Sequence, residues 1–377
     1  MDSWNIKIVL RMVRFVGTNP KYRGTFHESL LFLLSLTALS ITTGFALAVF
    51  FFEKNLQMLD ITETAQALSF CTHSLLKLIW FRRQHKKVIA LLTDSERFWK
   101  IEELEDAVEK EKLTKYVYYL KIGFQYFGLF ALVPVLTVLL RPFYQHGVDY
   151  PFRGYLLEKD VYRYALIVTE QYGIACMFCA VVGFDSFFTT LIILSTFQWR
   201  MLNSELRRVL EMPVRNESDR VTAKNRMRKC INHHNFLLKY VKDINDTMSL
   251  GLLLYLGVIV LANCVEFFAI SVGLPTNEFL KSITYVNAMT YEFVVFYIIP
   301  GQLLGSEASR TEEVIFKSDW LANFEMNKPV IMMISSINQK PATVNAFGLI
   351  DMCYGSGLRA YKAIISYYMF LRTMNRN

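Results

Sequence analysis

The stretch SLLFLLSLTALSITTGFALAVFFF, residues 29–52, carries no charged side chain along its whole length. A helix needs about 20 apolar residues to cross the hydrocarbon core of a bilayer, so this stretch is long enough to span a membrane. The whole chain agrees, because 53% of its 377 residues are hydrophobic and only 20% are charged. In soluble domains about 45–50% of the residues are apolar and about 25% are charged. We therefore predict a polytopic membrane protein.

Six further apolar runs follow the first. They cover residues 61–81, 116–140, 161–199, 248–272, 279–304 and 342–373. In lipid every backbone polar group needs an internal partner, and no alternating barrel pattern appears, so each run is expected to be a helix. The sequence thus predicts an all-α membrane protein with seven transmembrane helices.

The basic residues set the direction of these helices. They concentrate in the N-terminal segment and in the connections 82–115 and 200–247, whereas the alternate connections hold only four: Lys54, Arg141, Arg153 and Lys159. Positive charge is retained on the cytoplasmic side, so we expect a cytoplasmic N-terminus and an extracellular C-terminus. The same rule accounts for the net charge of +8 without nucleic-acid binding.

This orientation is opposite to that of G-protein-coupled receptors. Their D-R-Y and N-P-x-x-Y signatures are also missing after the third and within the seventh run. The two sequons, at Asn216 and Asn245, are then expected to lie in the cytosol without glycans.

No constellation of catalytic or metal-binding residues is visible in the sequence. Cys176 and Cys179 form a C-x-x-C pair inside an apolar run without a second ligand pair, and His233-His234 has no partner motif. No glycine-rich phosphate loop occurs either. We expect no enzyme activity, no cofactor and no metal.

Four carboxylates lie inside the apolar runs, at Glu170, Asp185, Glu266 and Glu292. Ionisable residues in a membrane helix are functional candidates by default, because a charge facing lipid is costly. The alternative, which we favour, is that they hydrogen-bond to neighbouring helices.

The final run ends in AIISYYMFLRTMNRN, residues 363–377, whose apolar block is too short to cross a bilayer alone. We expect it to be the outer end of a helix that starts near residue 342. On such a helix one narrow stripe holds most polar side chains, namely Asp351, Arg359, Lys362, Ser366 and Thr373, together with Gly355 and Phe370. The stripe should face either water or other protein.

Three motifs near the C-terminus then carry a family resemblance. GQLLGSEASRTEEVIFKSDW (301–320), INQKP (337–341) and SYYMFLRT (366–373) resemble, in order and spacing, the C-terminal third of insect odorant receptors. The ending Ser366-Tyr367 with Thr373-Met374 is closer to the odorant branch than to the related gustatory receptors. The short connection 200–247 is similar to that of an odour-tuning subunit rather than the obligate co-receptor.

The resemblance implies a ligand-gated, non-selective cation channel that assembles as a heterotetramer with the odorant co-receptor. Its implied partners are a small volatile organic ligand, membrane lipid and permeating monovalent and divalent cations. The implied location is the plasma membrane of a sensory neuron dendrite.

The resemblance also divides the chain into four regions. Residues 1–28 would be a cytoplasmic N-terminal segment, and 29–304 would hold the first six helices with an odorant pocket in their outer half. Residues 305–341 would form a cytoplasmic anchor with Trp320 and Pro341, and 342–377 the pore-lining seventh helix with a short extracellular tail. Ser366, Phe370 and Thr373 are the candidate pore and gate residues of the stripe. Phe370 matches the family's apolar gate position, and Thr373 matches the polar position beside it.

The candidate pocket residues come from the outer halves of the second, third, fourth and sixth spans. They are Leu68, Cys71, Thr72, Phe127, Phe130, Pro134, Tyr172, Cys176, Met177, Tyr285, Ala288 and Met289. Aromatic and methionine side chains suit small apolar ligands, although ordinary helix packing is the alternative for each of them. The alternative functions are a metabotropic seven-helix chemoreceptor, a gustatory receptor-type channel and a secondary transporter.

Overall fold

The computed structural model describes residues 4–22, 24–53, 56, 58–144, 160–272, 276–318, 320, 328 and 342–374. Its helices are α1 (Trp4–Phe15), α2 (Phe26–Phe52), α3 (Met58–Arg83), α4 (His85–Ser95), α5 (Ala107–Tyr144), α6 (Asp160–Leu210), α7 (Glu217–Val272), α8 (Thr276–Glu292), α9 (Ile299–Lys317) and α10 (Tyr354–Met374). Short 3₁₀ turns lie at Pro20–Tyr22 and Ile101–Glu103, and a π-helical segment, Phe293–Ile298, joins α8 to α9. Strands β1 (Asn345–Ala346) and β2 (Ile350–Asp351) form an antiparallel hairpin. The architecture is therefore all-helical apart from this hairpin in the described residues.

Four stretches of helix in the described parts are long and apolar enough to cross a membrane: Phe26–Phe52, Tyr162–Leu210, Glu217–Ser271 and Phe279–Lys317. They correspond to the first, fourth, fifth and sixth predicted spans. The other three predicted spans fall on α3, α5 and α10. α3 is too polar for this criterion because it carries Glu63, His73 and Lys77, which are all buried inside the bundle.

Helix α6 forms the centre of the fold and contacts α1, α2, α3, α5, α7 and α9. Its side chains Phe187, Phe188, Leu191 and Trp199 are fully buried in the main core. The close packing of α1 depends on Gly183, where a Cβ would meet Val13 at 3.0 Å. α6 is thus surrounded by the chain's own helices along most of its length.

The start of α2 follows ordinary capping chemistry. The side chain of Thr25 accepts a hydrogen bond from the backbone N–H of Glu28 at 3.3 Å, and the acidic Glu28 lies in the first turn. Both features stabilise a helix N-terminus. The helix starts at Phe26, three residues before the predicted first span.

Ion pairs connect neighbouring helices in the half of the bundle that the sequence predicts to be cytoplasmic. Glu105 accepts hydrogen bonds from Arg208 at 2.5 Å and from Arg226 at 3.0 Å, which ties the segment before α5 to α6 and α7. These two guanidinium groups lower the pKa of Glu105, the bond from Arg226 contributing most. Arg200 of α6 also pairs with Glu109 of α5.

The helix that carries the sixth predicted span, 279–304, continues beyond the end of that span. The helix continues from the π-helical segment through Pro300 to Lys317. Pro300 is tolerated because it occupies the first turn of α9, directly after the π-helical segment. A proline in the first turn of a helix leaves the regular hydrogen bonds of the helix interior intact. The predicted anchor 305–341 is therefore helical over its first part.

The predicted helix over 342–353 is wrong, because α10 begins at Tyr354 and the preceding residues form the hairpin. Its turn has positive φ at Phe347 (55°) and Gly348 (70°), and the backbone N–H of Gly348 donates to the side chain of Asn345 at 2.7 Å. Asp351 belongs to β2 and accepts a bond from Thr343 Oγ1 at 3.2 Å, so it is not part of the helical stripe.

Candidate functional site

The pocket candidates on α3 and α6 meet in one place. Cys71, Cys176 and Met177 are buried together with Leu39 of α2, and Tyr172 packs against this cluster. Two polar contacts also reach α2, because Ser35 Oγ lies 3.3 Å from the Cys176 thiol and 3.4 Å from the Tyr172 hydroxyl. Residues far apart in sequence thus line one contact region between α2, α3 and α6.

The candidates on α8 lie on the other side of α3. Tyr285 and Met289 belong to the main core, and the Tyr285 hydroxyl is 2.5 Å from Ser69 Oγ. The ring of Tyr285 also meets Phe70 edge-on, with centroids 4.8 Å apart. Sequence reasoning missed Ser69 and Phe70. Their signal was available, because they lie between the candidates Leu68 and Cys71 on α3.

Phe70 joins these two groups of candidates, since it packs against both the α2–α3–α6 cluster and the main core. Leu68 and Ala288 are half-buried, whereas Thr72 is exposed on the surface of the single chain. The backbone positions of the remaining three candidates lie on α5, but their side chains are outside the described set: Phe127, Phe130 and Pro134.

A buried charge network lies next to this region. Lys77 Nζ on α3 donates to both carboxylate oxygens of Asp185 on α6, at 2.6 and 2.7 Å, and to Glu292 at the end of α8, at 2.6 Å. Tyr297 of the π-helical segment donates its hydroxyl to Asp185. His73 Nε2 is 3.3 Å from Glu292. We call these five residues the central network.

The central network ties together the helices that surround it. The ammonium of Lys77 also lies 4.4 Å from the ring centroid of Tyr255 on α7, which extends the contacts to a further helix. Removing one partner of a buried ion pair typically costs about 3–5 kcal/mol, because the remaining charge is left uncompensated. Sequence reasoning identified Asp185 and Glu292 but missed Lys77 and His73, which stand four residues apart on one helix face.

A second polar contact set links α3, α7 and α8. Gln66 Nε2 donates to Glu266 at 2.7 Å and lies 3.2 Å from Ser282 Oγ. Lys281 Nζ donates to Glu63 at 2.9 Å. Asp185, Glu266 and Glu292 therefore all bond to neighbouring helices, which confirms the interpretation favoured from the sequence for these three residues. Glu170, the fourth carboxylate, is also buried.

The hairpin docks onto α9 through two neighbouring residues. Gly301 lies so close to the hairpin that a Cβ there would overlap the carbonyl oxygen of Met352. The side-chain oxygen of Gln302 accepts a bond from the backbone N–H of Tyr354 at 3.2 Å, at the first residue of α10. The Gly301-Gln302 pair thus positions the start of the last helix, which explains why a residue without a side chain is needed there.

Asn245 of α7 holds the same hairpin from the other side. Its Nδ2 donates to the Thr343 carbonyl at 2.7 Å, and its Oδ1 accepts from the backbone N–H of Asn345 at 3.0 Å. The amide of this sequon is therefore engaged in the fold.

Beyond its first residue, helix α10 packs on the described part of the chain mainly along one seam. Gly357 faces Ile298, Tyr361 faces Phe293 with centroids 6.2 Å apart, Ile364 is buried, and Tyr368 faces Phe267 at 6.3 Å. The spacing 357, 361, 364 and 368 is that of one helix face. The partners named here lie on α7 and on the π-helical segment.

The predicted gate residues lie away from the seam. Ser366, Phe370 and Thr373 are exposed in the single chain, and Phe370 has 60% of its surface accessible. Trp320, an anchor candidate, is half-buried and packs against the main core, whereas Pro341 lies outside the described residues. Across the described part of the chain, no group of three or more His, Cys, Asp or Glu side chains is arranged to hold a metal ion.

Comparisons with known proteins support the helical fold. Residues 57–366 match the model of the family described as 7tm Odorant receptor. No curated protein sequence is detectably similar to the chain. Two similar solved structures are the insect olfactory receptor OR5 from Machilis hrabei with eugenol (TM-score 0.79, 12% identity, 99% of this chain and 98% of that chain) and without it (TM-score 0.78, 11% identity, 98% and 97%). These structures share the fold of this chain over almost its full length.

Proposed function

The chain belongs to the 7tm odorant receptor family, a family of receptors rather than enzymes, and from this membership we propose that it is an odour-tuning subunit of a cation channel. In this proposal it binds a small volatile organic molecule and gates the pore together with the odorant co-receptor. The observation that carries the channel proposal is the surface of α10, which docks along one seam and leaves its other faces uncovered.

The uncovered face of α10 needs a partner from outside the chain. It carries Arg359 and Lys362 beside large apolar side chains such as Leu358 and Phe370, all of them exposed. Charged side chains in a membrane helix are costly against lipid and are usually turned toward water or protein. Neighbouring subunits around a central water-filled path would satisfy both kinds of side chain. A ring with Phe370 would close such a path by excluding water, and Thr373 would hydrate passing ions.

The orientation proposed for the chain places the N-terminus and the hairpin in the cytoplasm. The alternation of basic connections supports it. The two amide bonds of Asn245 to the hairpin are compatible with it, since they hold this half-buried side chain within the fold. The plasma membrane of a sensory neuron is the location that the family resemblance implies.

The proposed ligand site is centred on Phe70 of α3, with Tyr172 and Cys176 of α6 on one side and Tyr285 of α8 on the other. It combines aromatic and sulfur-containing side chains with hydroxyl groups, which suits a small molecule with a large apolar part and one polar group. One of the similar receptors was solved with eugenol, a ligand of that protein. The identity of this chain's own odorant is not implied by that structure.

Helix α8 supplies a route from this site to the pore helix. It carries Tyr285 at the proposed ligand site and Glu292 in the central network, and the next residue, Phe293, packs on Tyr361 of α10. We propose that ligand binding favours the arrangement of α8 and the π-helical segment that belongs to the open pore. The π turn is suited to this role, because such turns are short departures from regular helical bonding.

The experiment is expression of the chain in cells with and without the co-receptor, followed by current recordings during application of an odorant panel. We expect odour-gated cation current only with both subunits. Robust current from this chain alone would contradict the heteromer. Current abolished by G-protein inhibition would favour the metabotropic receptor, and uptake of solute without channel current would favour a transporter.

A further inference from the structure

A cleft of about 370 Å³ lies beside the N-terminal part of α7, far from the proposed odorant site. Its walls come from the segment after α4 and from one face of α7, and they combine three cations with three rings: Arg97, Arg228 and Lys229, and Trp99, His233 and Phe236. Two amides, Asn225 and Asn232, complete the lining. No carboxylate is among these described lining residues.

The floor of the cleft is held rigidly by α6. Gln198 bonds to both backbone groups of Trp99, accepting from its N–H at 2.8 Å and donating to its carbonyl at 3.0 Å. The same Gln198 oxygen is 3.1 Å from His233 Nε2, and the rings of His233 and Trp99 stack with centroids 4.0 Å apart. The aromatic floor is therefore held in place by hydrogen bonds to α6.

The cations at the rim are placed by the rings beneath them. Arg97 lies 4.5 Å above the Phe236 ring, and Lys229 lies 5.2 Å from the Trp99 ring. Arg97 also approaches Asp94 outside the cleft at 3.5 Å, a distance at the limit of a hydrogen bond. Arg228 and Lys229 are both exposed. The cleft thus concentrates positive charge over an ordered apolar floor.

We propose that this cleft binds a soluble organic anion that carries phosphate groups. Guanidinium and ammonium groups are the usual ligands of phosphate oxygens, the amides can bond to hydroxyls, and the rings can pack against a planar or apolar portion. The volume falls within the range of small-molecule sites. The ligand would add a control point on the inner half of the receptor that is separate from odour recognition.

The position of the cleft favours a soluble ligand over a lipid headgroup. Lys229 precedes Met248, where the apolar part of α7 begins, by a distance along the continuous helix of roughly 30 Å at 1.5 Å per residue. A headgroup at the bilayer surface would have to leave the membrane to reach it. The same phosphate chemistry in a phosphoinositide is therefore the competing source to be tested.

The experiment uses the full-length chain in phosphatidylcholine nanodiscs and measures binding of ATP, inositol hexakisphosphate and inorganic phosphate by calorimetry. We expect saturable binding of at least one organic phosphate, tighter than that of inorganic phosphate. The double substitution Arg228→Gln with Lys229→Gln should weaken it at least tenfold. Arg220→Gln is the matched control, because Arg220 is an exposed cation on the same helix outside the cleft.

Tryptophan fluorescence supplies a second readout that does not depend on the charge substitutions. Binding should change the emission of the wild-type protein, and Trp99→Phe should remove most of that change. The proposal is overturned by any of four results: no binding of any soluble probe, equal weakening in Arg220→Gln, inorganic phosphate binding as tightly as the organic phosphates, or binding seen only with phosphatidylinositol bisphosphate in the nanodisc.

Discussion

Helices α6 and α10 differ in how much of their surroundings the chain itself provides. In the most apolar window of α6, 78% of the residues are buried inside the subunit, and the buried Asp185 has partners on α3 and the π-helical segment. α10 has a single seam, and it exposes Leu358, Ile365, Tyr367, Met369 and Phe370. Most of the surface of α6 is covered within the subunit, whereas much of the surface of α10 is exposed.

The difference indicates where substitutions should act. A change on α6 or its bonded partners alters packing that every folded subunit needs, so its effect should appear in folding and expression. A change on the exposed faces of α10 leaves the subunit's own packing intact. Its effect should therefore appear only in the proposed channel assembly.

The largest effect is expected from Lys77→Met, which removes the cation that pairs with Asp185 of α6. Asp185 and Glu292 would then lie buried without their common partner, and we expect a loss of about 3–5 kcal/mol of stability. Surface biotinylation should show little protein at the membrane. Adding Asp185→Asn should restore part of it, and Lys86→Met, at an exposed position on α4, should behave as wild type. Normal surface levels of Lys77→Met would remove the central network as a folding determinant.

The second prediction concerns the contact between α9 and the hairpin that precedes α10. Gly301→Ala should push the hairpin and the start of α10 away from α9, because the added Cβ overlaps Met352; overpacking of this kind costs about 1–3 kcal/mol. Odour-gated current should fall more than surface expression. Gly305→Ala is the control, since its Cβ would meet only Thr343 Cγ2 at an ordinary 3.6 Å. If both variants conduct equally well, close docking at Gly301 has no role in gating.

The same junction marks the limit of what the sequence could reveal. Apolar runs located the helices, because burial in lipid requires long uncharged stretches. They could not reveal the hairpin, since it depends on Asn245 and Gly301, which are distant in sequence, and on a positive φ at Phe347, which that residue type rarely adopts.

The proposed ligand site and the central network were partly predictable for a similar reason. Carboxylates in apolar runs stand out, so Asp185 and Glu292 were identified. Lys77 was missed because it lies near the end of the second predicted span, close to Arg82 and Arg83. At that position it resembles a cation that flanks a membrane helix. Ser69 and Phe70 were missed because only the packing of α8 against α3 shows which face of α3 matters.

The third prediction tests α10 directly. Phe370→Ala should raise basal leak current in the heteromer, because a smaller side chain no longer excludes water at the proposed gate. Surface expression should not change, as 60% of Phe370 is exposed in the subunit. Met369→Ala, at a neighbouring position that is 51% exposed and points about 100° away around the helix, serves as the control. Equal leak in both variants would place the gate elsewhere.

A smaller effect is expected at the proposed ligand site. Tyr285→Phe keeps the ring against Phe70 but removes the hydroxyl bond to Ser69, worth about 0.5–1.5 kcal/mol. Dose–response curves should shift several-fold for odorants with a polar group and little for pure hydrocarbons. Tyr354→Phe, at an exposed tyrosine, should leave the curves unchanged. A uniform shift for every odorant would make Tyr285 a structural residue.

The smallest effect appears only in acid and depends on how completely α6 buries its neighbours. His234 of α7 packs edge-on against Trp199 of α6, with centroids 5.2 Å apart, and this burial lowers the pKa of His234 to about 4. The unfolded chain takes up a proton near pH 6.5, so stability is fully present above that pH and is lost as the pH falls toward 4. We expect a loss of about 1 kcal/mol from this residue at pH 5.5.

Thermal midpoints of the detergent-purified protein between pH 7.5 and 5.5 would measure this loss. His234→Gln should give a shallower decline than wild type, although His233, whose pKa burial also lowers, to about 3, keeps part of it. His27→Gln, at an exposed position, should decline as wild type does. An unchanged slope in His234→Gln would mean that α6 and α7 separate enough in solution to hydrate the imidazole. That result would weaken the contrast with α10, because α6 would then not be fully enclosed by its own chain.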